Sequence, residues 1–254
     1  MTSSPELLID RRPGVVEVTF NRPEKFNAFT RGMYQGLHAL CRELAADASV
    51  KVLVLRGAGG KAFAAGNDIE DFLAQDQVPY EGEIRAMFTA LFDLPQVTVA
   101  AIDGVCVGGG LAIATHCDLR IATPGSRFGY PIARTLGNAL SSPVLFRCAS
   151  VFGESLTREM LLTARLQSAE RAYGVGALLA VTDSLEEELA GLVESIQGLS
   201  SVTLRTTKSQ LGFRASFLEP VPHGEEELLR EVYAGPDFAE GVRAFLAKEK
   251  PAFG

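Results

Sequence analysis

Two glycine-bearing stretches carry the chemistry that can be read directly from the chain. Val107 to Asp118 reads VGGGLAIATHCD, three glycines between an apolar run and a helix-like segment. The first amides of a helix have no intrahelical acceptor and sit at its positive dipole end, so bare backbone there presents free donors. Lys61 to Ile69 reads KAFAAGNDI, a short apolar piece ending at Gly66. A tight turn at that glycine leaves the amide of Asn67 pointing outward. Taken singly, each stretch is also explained as plain turn chemistry. Two such amides converging on one point form an oxyanion hole, a cradle for an oxygen that becomes negative during reaction. The nearby GAGGKA resembles a phosphate loop only superficially, because Lys61 is followed by Ala62 rather than Ser or Thr and the glycine spacing is wrong.

The elements that position these stretches alternate between strand-like and helix-like patterns. GVVEVTF has the alternation of a strand, and NRPEKFNAFT breaks it before Thr30 caps a helix over Arg31 to Leu44. VKVLVLRG is nearly all apolar, which predicts a strand covered on both faces, and VTVAAIDG repeats that logic ahead of the three glycines. DLRIAT and ALLAVT supply further short strands. From about Ser141 helical periodicity takes over, with helices expected over Leu185 to Gln197 and Phe238 to Lys248. The PHGEEE run at Pro222 to Glu227 reads as a solvated loop leading into a helix whose first turn favours its glutamates. The fold class is α/β with a helical C-terminal part.

Composition removes several alternatives. The 254 residues are 47% apolar and 22% charged, enough for a full core, with no uninterrupted apolar run of membrane-spanning length. A net charge of −7 opposes attraction to nucleic acid, so neither nucleic acid nor membrane is expected as a partner. MTSSPELLID carries neither a basic start nor an apolar signal core, which makes a cytoplasmic location the expectation. Cys41, Cys106, Cys117 and Cys148 lack CxxC spacing and read as reduced, buried small hydrophobes, and no metal site is expected. No HExxH or GxSxG motif appears. His116 falls at the far end of the helix opened by the glycines, more than a turn from the proposed hole, and reads as a core or helix-end histidine.

Nearly the whole chain, from VTFNRPEKFNAFT through VLVLRGAGGKAFAAGNDI and VTVAAIDGVCVGGGLAIATHCDLRIAT to EGVRAFLAKEKPAF, resembles the crotonase superfamily, the enoyl-CoA hydratase/isomerase family. The resemblance implies a spiral of β-β-α repeats over residues 1–195 and a helical trimerisation region over residues 196–254, assembled as a homotrimer or a dimer of trimers. It implies an acyl-CoA thioester whose carbonyl oxygen is held by the backbone amides of Asn67 and Gly109. Coenzyme A enters as part of the substrate, and no cofactor is bound permanently. By the same resemblance, Lys25, Phe26 and Ala28 line the coenzyme path, Ala65, Asp68 and Ile69 flank the adenine and thioester, and Phe245 and Lys248 reach a neighbouring subunit's coenzyme. Asp68 equally suits a cap after Gly66.

The resemblance also marks what is missing. Hydratases of the family place one glutamate two residues after the last glycine and a second directly after the proline of a later strand. Ala112 and Ile132 stand there, and neither transfers a proton. Where other members use an aspartate, this chain has Leu140 or Ser141. Four polar residues of the same loop, Tyr130, Arg134, Asn138 and Ser141, are expected near the acyl pocket. Arg134 either forks onto a substrate carboxylate or pairs with Glu154. Asn138 suits a turn after Gly137 as well as a substrate contact, and Ser141 suits the cap of the helix beginning SSPVLF. The expected function is an acyl-CoA enzyme stabilising a thioester enolate, with decarboxylation or isomerisation favoured over efficient hydration. The alternatives are a hydratase or isomerase with a non-standard base and a non-catalytic acyl-CoA-binding protein.

Overall fold

The computed structural model describes residues 5–74 and 77–254. Strands β1 (Leu7–Arg12) and β2 (Val15–Phe20) form an antiparallel hairpin, and α1 (Arg31–Ala45) follows after a loop. The Thr30 hydroxyl accepts from the Met33 amide at 3.2 Å, the cap expected for that helix. Three rounds of strand, strand and helix come next. They are β3 (Val52–Gly57) and β4 (Ala62–Ala65) with α2 (Ile69–Leu73) and α3 (Gln77–Phe92), then β5 (Val97–Ile102) and β6 (Val105–Val107) with α4 (Gly109–His116). The third is β7 (Leu119–Ala122) and β8 (Arg127–Gly129) with α5 (Ile132–Thr135) and α6 (Ser142–Phe152). Each round gives one strand to a six-stranded sheet of order β1-β2-β3-β5-β7-β10 and one to a four-stranded sheet of order β4-β6-β8-β9. This is the expected spiral.

The chain continues through α7 (Glu154–Thr163), β9 (Gln167–Ser168), α8 (Ala169–Gly174), β10 (Ala180–Val181) and α9 (Leu185–Gln197). It ends in α10 (Ser201–Leu218), α11 (Glu225–Tyr233) and α12 (Pro236–Ala247). Alternation along β3 explains its continuous apolarity. Leu53 and Leu55 join the main core between the sheets, while Val52 and Val54 face a second core closed by Leu185, Leu189, Val193 and Ile196 of α9. All four cysteines are buried and unpaired, and burial pushes the Cys41 and Cys117 thiols up to about 12.

Two expectations about the C-terminal half need correction. Ser141 occupies the cap position of α6, but its side chain makes no capping bond. Glu225 does that work: one carboxylate oxygen accepts from the Ser142 amide at 2.5 Å and the other from the Ser142 hydroxyl. Glu225 is therefore buried, not part of a solvated run, because an anion at the helix N-terminus is stabilised by the free amides and the dipole. On α10, by contrast, Leu211, Phe213, Phe217 and Leu218 lie exposed, with the two phenylalanine rings edge to face at 4.9 Å.

Candidate active site

The floor of a cavity of about 790 Å³ is made by two backbone turns. Phe29 donates to the Gly66 carbonyl at 2.8 Å and accepts from the Asp68 amide at 2.8 Å, forming a parallel bridge on either side of Asn67. In that geometry the amide of Asn67 faces away from Phe29 and toward the cavity. Across from it, Gly108 adopts φ 55° and ψ −128°, a conformation open only to glycine, and this turns the chain into α4 with Gly109 first. The Gly109 amide has no intrahelical acceptor at that position. The turns touch: a Cβ added to Gly66 would lie 3.7 Å from the Gly109 nitrogen. The Asn67 side chain is fixed as well, its Oδ1 accepting from the Tyr34 hydroxyl at 2.6 Å.

Lys25, Phe26, Ala28, Ala65, Asp68 and Ile69 all line the same cavity. The loop carrying the first three is shaped by buried Asn27, which donates to the carbonyls of Ala58 and Ala62 and accepts from the Arg22 amide. Phe26 and Asn27 both have positive φ, so the Asn27 hydrogen bonds hold a strained turn that leaves the Phe26 ring half exposed at the cavity mouth. Asp68 is the cap of α2, accepting from the Asp71 amide at 3.2 Å, and it also pairs with Arg22 at 2.8 Å. Partial burial pushes its carboxyl up, but the Arg22 guanidinium and the Asp71 amide outweigh this and hold it below the usual range. Phe245 and Lys248 line the same cavity. Lys248 does so from a left-handed residue that ends α12.

At the acyl end, Ala112, Ile132, Asn138 and Ser141 are on the wall. Tyr130 is not, because its ring is wholly buried beneath the wall. Arg134 is not either. On the single turn of α5, Ile132, Thr135 and Leu136 share the cavity face by their spacing, and Arg134 projects into solvent on the other side. Its expected partner Glu154 pairs with Arg158 instead. His116 is buried at the end of α4, donates from Nδ1 to the Ala112 carbonyl at 2.7 Å and stacks on the Phe88 ring at 4.7 Å. Burial pulls its imidazole down to about 4, so it is neutral at pH 7.

Sequence reasoning missed the group that α3 brings to this wall. Glu81, Ile84 and Phe88 line the cavity from one face of α3. The Glu81 carboxylate accepts from the Tyr233 hydroxyl at 2.6 Å, and burial raises its pKa above the usual 4.5 against the pull of that phenol and of Arg85. The signal was present: Tyr80, Ile84, Met87, Phe88 and Leu91 repeat at helical spacing. Among the described residues no three His, Cys, Asp or Glu side chains gather to hold a metal ion, and no helix is long and apolar enough to cross a membrane.

Comparison with known proteins gives this geometry its family. Residues 10–254 match the family model described as Enoyl-CoA hydratase/isomerase. The "Probable enoyl-CoA hydratase" of Rhizobium meliloti is 30% identical over 251 residues, covering 97% of each chain. A solved enoyl-CoA hydratase from Mycobacterium avium subsp. paratuberculosis superposes with a TM-score of 0.87 at 26% identity over the full length of both chains. A methylmalonyl-CoA decarboxylase bound to 2-nitronate-propionyl-CoA superposes with a TM-score of 0.89 at 24% identity, covering 100% of this chain and 99% of that one, a likeness of fold alone. The chain belongs to the enoyl-CoA hydratase/isomerase family of the crotonase superfamily, enzymes that act on acyl-CoA thioesters.

Proposed function

We propose that this family member stabilises the enolate of an acyl-CoA thioester on the amides of Asn67 and Gly109 and uses it for proton-transfer chemistry such as double-bond isomerisation, with hydration a poor activity. The observation that carries this reading is the pair of touching backbone turns at the floor of a largely apolar cavity. As charge builds on the thioester oxygen, donors already fixed in place stabilise it without reorganisation. Lys25 and Lys248, near the cavity mouth, suit the coenzyme phosphates, and Phe26 and Phe245 offer faces to its apolar and aromatic parts. Ala112 and Ile132 leave the wall dry at the two places where the resemblance would put glutamates, so no pair of carboxylates holds a water there.

Decarboxylation of a malonyl-type thioester loses support from the geometry. Arg134, the cation able to fork onto a second carboxylate, faces solvent, and the acyl wall carries the acidic Glu81 instead. The exposed apolar face of α10 supports assembly as a homotrimer or a pair of trimers. The experiment that tests the function is a mass-spectrometric screen of acyl-CoA thioesters, saturated, 2-enoyl, 3-enoyl and malonyl types, for turnover. We expect interconversion of 3-enoyl and 2-enoyl thioesters; turnover confined to malonyl types would replace isomerisation by decarboxylation.

A further inference from the structure

The enolate reading leaves a proton without a carrier, since main-chain amides only donate hydrogen bonds and the glycine-flanked helix offers Ala112 where a carboxylate would serve. Among the described residues, the acyl side of the cavity has one carboxylate able to fill that role. Glu81 lines the wall from the same face of α3 as Ile84 and Phe88, which sets it among apolar residues at the cavity surface. It is positioned from a distance in sequence: Tyr233, 152 residues later on α11, donates to Oε1 at 2.6 Å. The Tyr233 ring is itself clamped, 5.9 Å from Phe72 and edge to face with Phe238 at 5.0 Å. Asn138 lies beside the Tyr233 phenol, lines the same cavity, and has a buried Oδ1 with no hydrogen-bond partner. A half-buried carboxylate with one fixed donor and an adjacent unmet acceptor is an unfavourable arrangement for stability alone.

We propose that Glu81 is the proton carrier of this cavity, taking a proton from the acyl group of a bound thioester and returning it to the same carbon or to one conjugated with it. The proposal rests on the enolate reading of the Asn67 and Gly109 amides. In the forward step a C–H bond breaks, its proton goes to a Glu81 oxygen, and its electron pair moves through the acyl chain to the thioester oxygen in the backbone cradle. In the return step the pair flows back, the O–H bond of Glu81 breaks, and a C–H bond forms. Return to the original carbon exchanges hydrogen with solvent; return to a conjugated carbon shifts the double bond. No further reactant is needed. Tyr233 positions the carboxylate and moderates it. The charged and titratable groups around Glu81 are Tyr233 from α11, Arg85 and Tyr80 from its own helix, and Tyr34 from α1.

The test uses the full chain with two probes, butyryl-CoA in deuterium oxide, read by mass spectrometry for deuterium gained in the acyl group, and 3-hexenoyl-CoA, read by the absorbance of the conjugated product. Binding of both is measured separately by calorimetry. Glu81→Gln preserves size and the ability to accept from Tyr233, so we expect unchanged binding and a loss of exchange and isomerisation of about 10²–10⁴-fold. Tyr233→Phe removes the donor that favours the ionised form, so the acid limb of the rate profile should move to higher pH; a merely structural residue would lower the rate without moving the limb. Wild-type rates in Glu81→Gln, or an unmoved limb in an active Tyr233→Phe, overturn the proposal. Binding without exchange or isomerisation in the wild type overturns it too while leaving the acyl-CoA site standing. Absence of binding would overturn the enolate reading itself and the proposal with it.

Discussion

At the thioester end of the cavity the groups facing the ligand are main-chain amides, those of Asn67 and Gly109, and their positions follow from turns a few residues long. At the acyl end they are side chains drawn from α3, α4, α5, α6, α12 and the loop carrying Asn138 and Ser141, backed by Tyr233 of α11. The backbone wall is set by local conformation, with Gly66 at φ 82° and Gly108 at φ 55°. It tolerates change only where no Cβ is added. The side-chain wall is set by tertiary packing, so its chemistry can be exchanged residue by residue while the fold persists. One scaffold can therefore keep an oxyanion cradle and vary what is done with the enolate.

The largest effect expected from this contrast concerns hydration. A wall with Ala112 and Ile132 in place of carboxylates should lack about 10²–10⁴-fold of the acid–base contribution that hydration needs. Crotonyl-CoA and a longer enoyl-CoA should be hydrated with kcat/KM below about 10⁴ M⁻¹s⁻¹, the lower end of ordinary enzyme efficiency. Steady-state assays of the purified protein check this; efficient hydration would mean that the side-chain wall holds a water between groups other than Ala112 and Ile132. Next in size is a break in the backbone wall. Asn67→Pro deletes one amide donor and should lower kcat for 3-enoyl isomerisation by about 10²–10³-fold. A thermal melt run in parallel separates this from loss of fold, because proline also restrains the turn. A folded variant with undiminished kcat would remove Asn67 from the cradle.

The same contrast explains how much could be read from the chain. The spiral and the cradle were legible because glycine turns and apolar alternation are local: KAFAAGNDI and VGGGLAI each declare a turn and the element after it. Glu81 was not, because the apolar stripe of Tyr80, Ile84, Met87, Phe88 and Leu91 announces a helix without saying that a carboxylate beside it faces the cavity, and the phenol that marks it is 152 residues away. Ser141 shows the same limit at smaller scale, since residue type and position indicated a cap but the longer reach of Glu225 supplied it. Arg134 failed for a different reason. A single helical turn at α5 decides which residues face inward, and rotating by two residues carries the side chain to the far side. The resemblance named Phe245 and Lys248, and only the folded α12 sets both on the wall of this chain's cavity.

A third prediction concerns what holds the side-chain wall. His116 supports Phe88, one of its members, and titrates at about 4 in the folded chain against 6.5 for an ordinary imidazole because it is buried. Between pH 6.5 and 4 the unfolded chain takes up a proton that the folded chain does not, so stability falls as pH falls through that window and is level above it. The size is about 3 kcal/mol at one group. Glu81 works in the opposite sense, because its raised pKa makes the folded state the better proton acceptor as pH falls toward 4.5. Comparing urea unfolding of wild type and His116→Phe across the window isolates the histidine. The Ala112 carbonyl keeps the Thr115 hydroxyl as a partner, so the variant should be folded and flatter in its pH response. Parallel slopes would show that His116 is not responsible.

The smallest effect is the most informative about how the two walls communicate, because Tyr34 belongs to both. Its hydroxyl donates to Asn67 at the thioester end, and its ring stands edge to face with Tyr80 at 6.3 Å and Phe88 at 6.2 Å on α3. Tyr34→Phe keeps the ring contacts and removes only the hydrogen bond. Asn67 lines the cavity, where water can replace the lost partner, so the cost should be near the net value of one hydrogen bond, about 1 kcal/mol, or roughly 5-fold in kcat. Gly109→Ala should cost more, since a Cβ there would lie 2.5 Å from the Tyr34 hydroxyl and 2.9 Å from Asn67 Oδ1. If the first contact is the one that matters, removing the hydroxyl makes room for the methyl group, and the double variant Gly109→Ala with Tyr34→Phe should turn over faster than Gly109→Ala alone. Kinetics of the four proteins form a closed cycle, in which the two changes, being in contact, must couple. Additive losses would mean that the cradle is held by its own backbone without help from the side-chain wall, and the two ends of the cavity could then be altered independently.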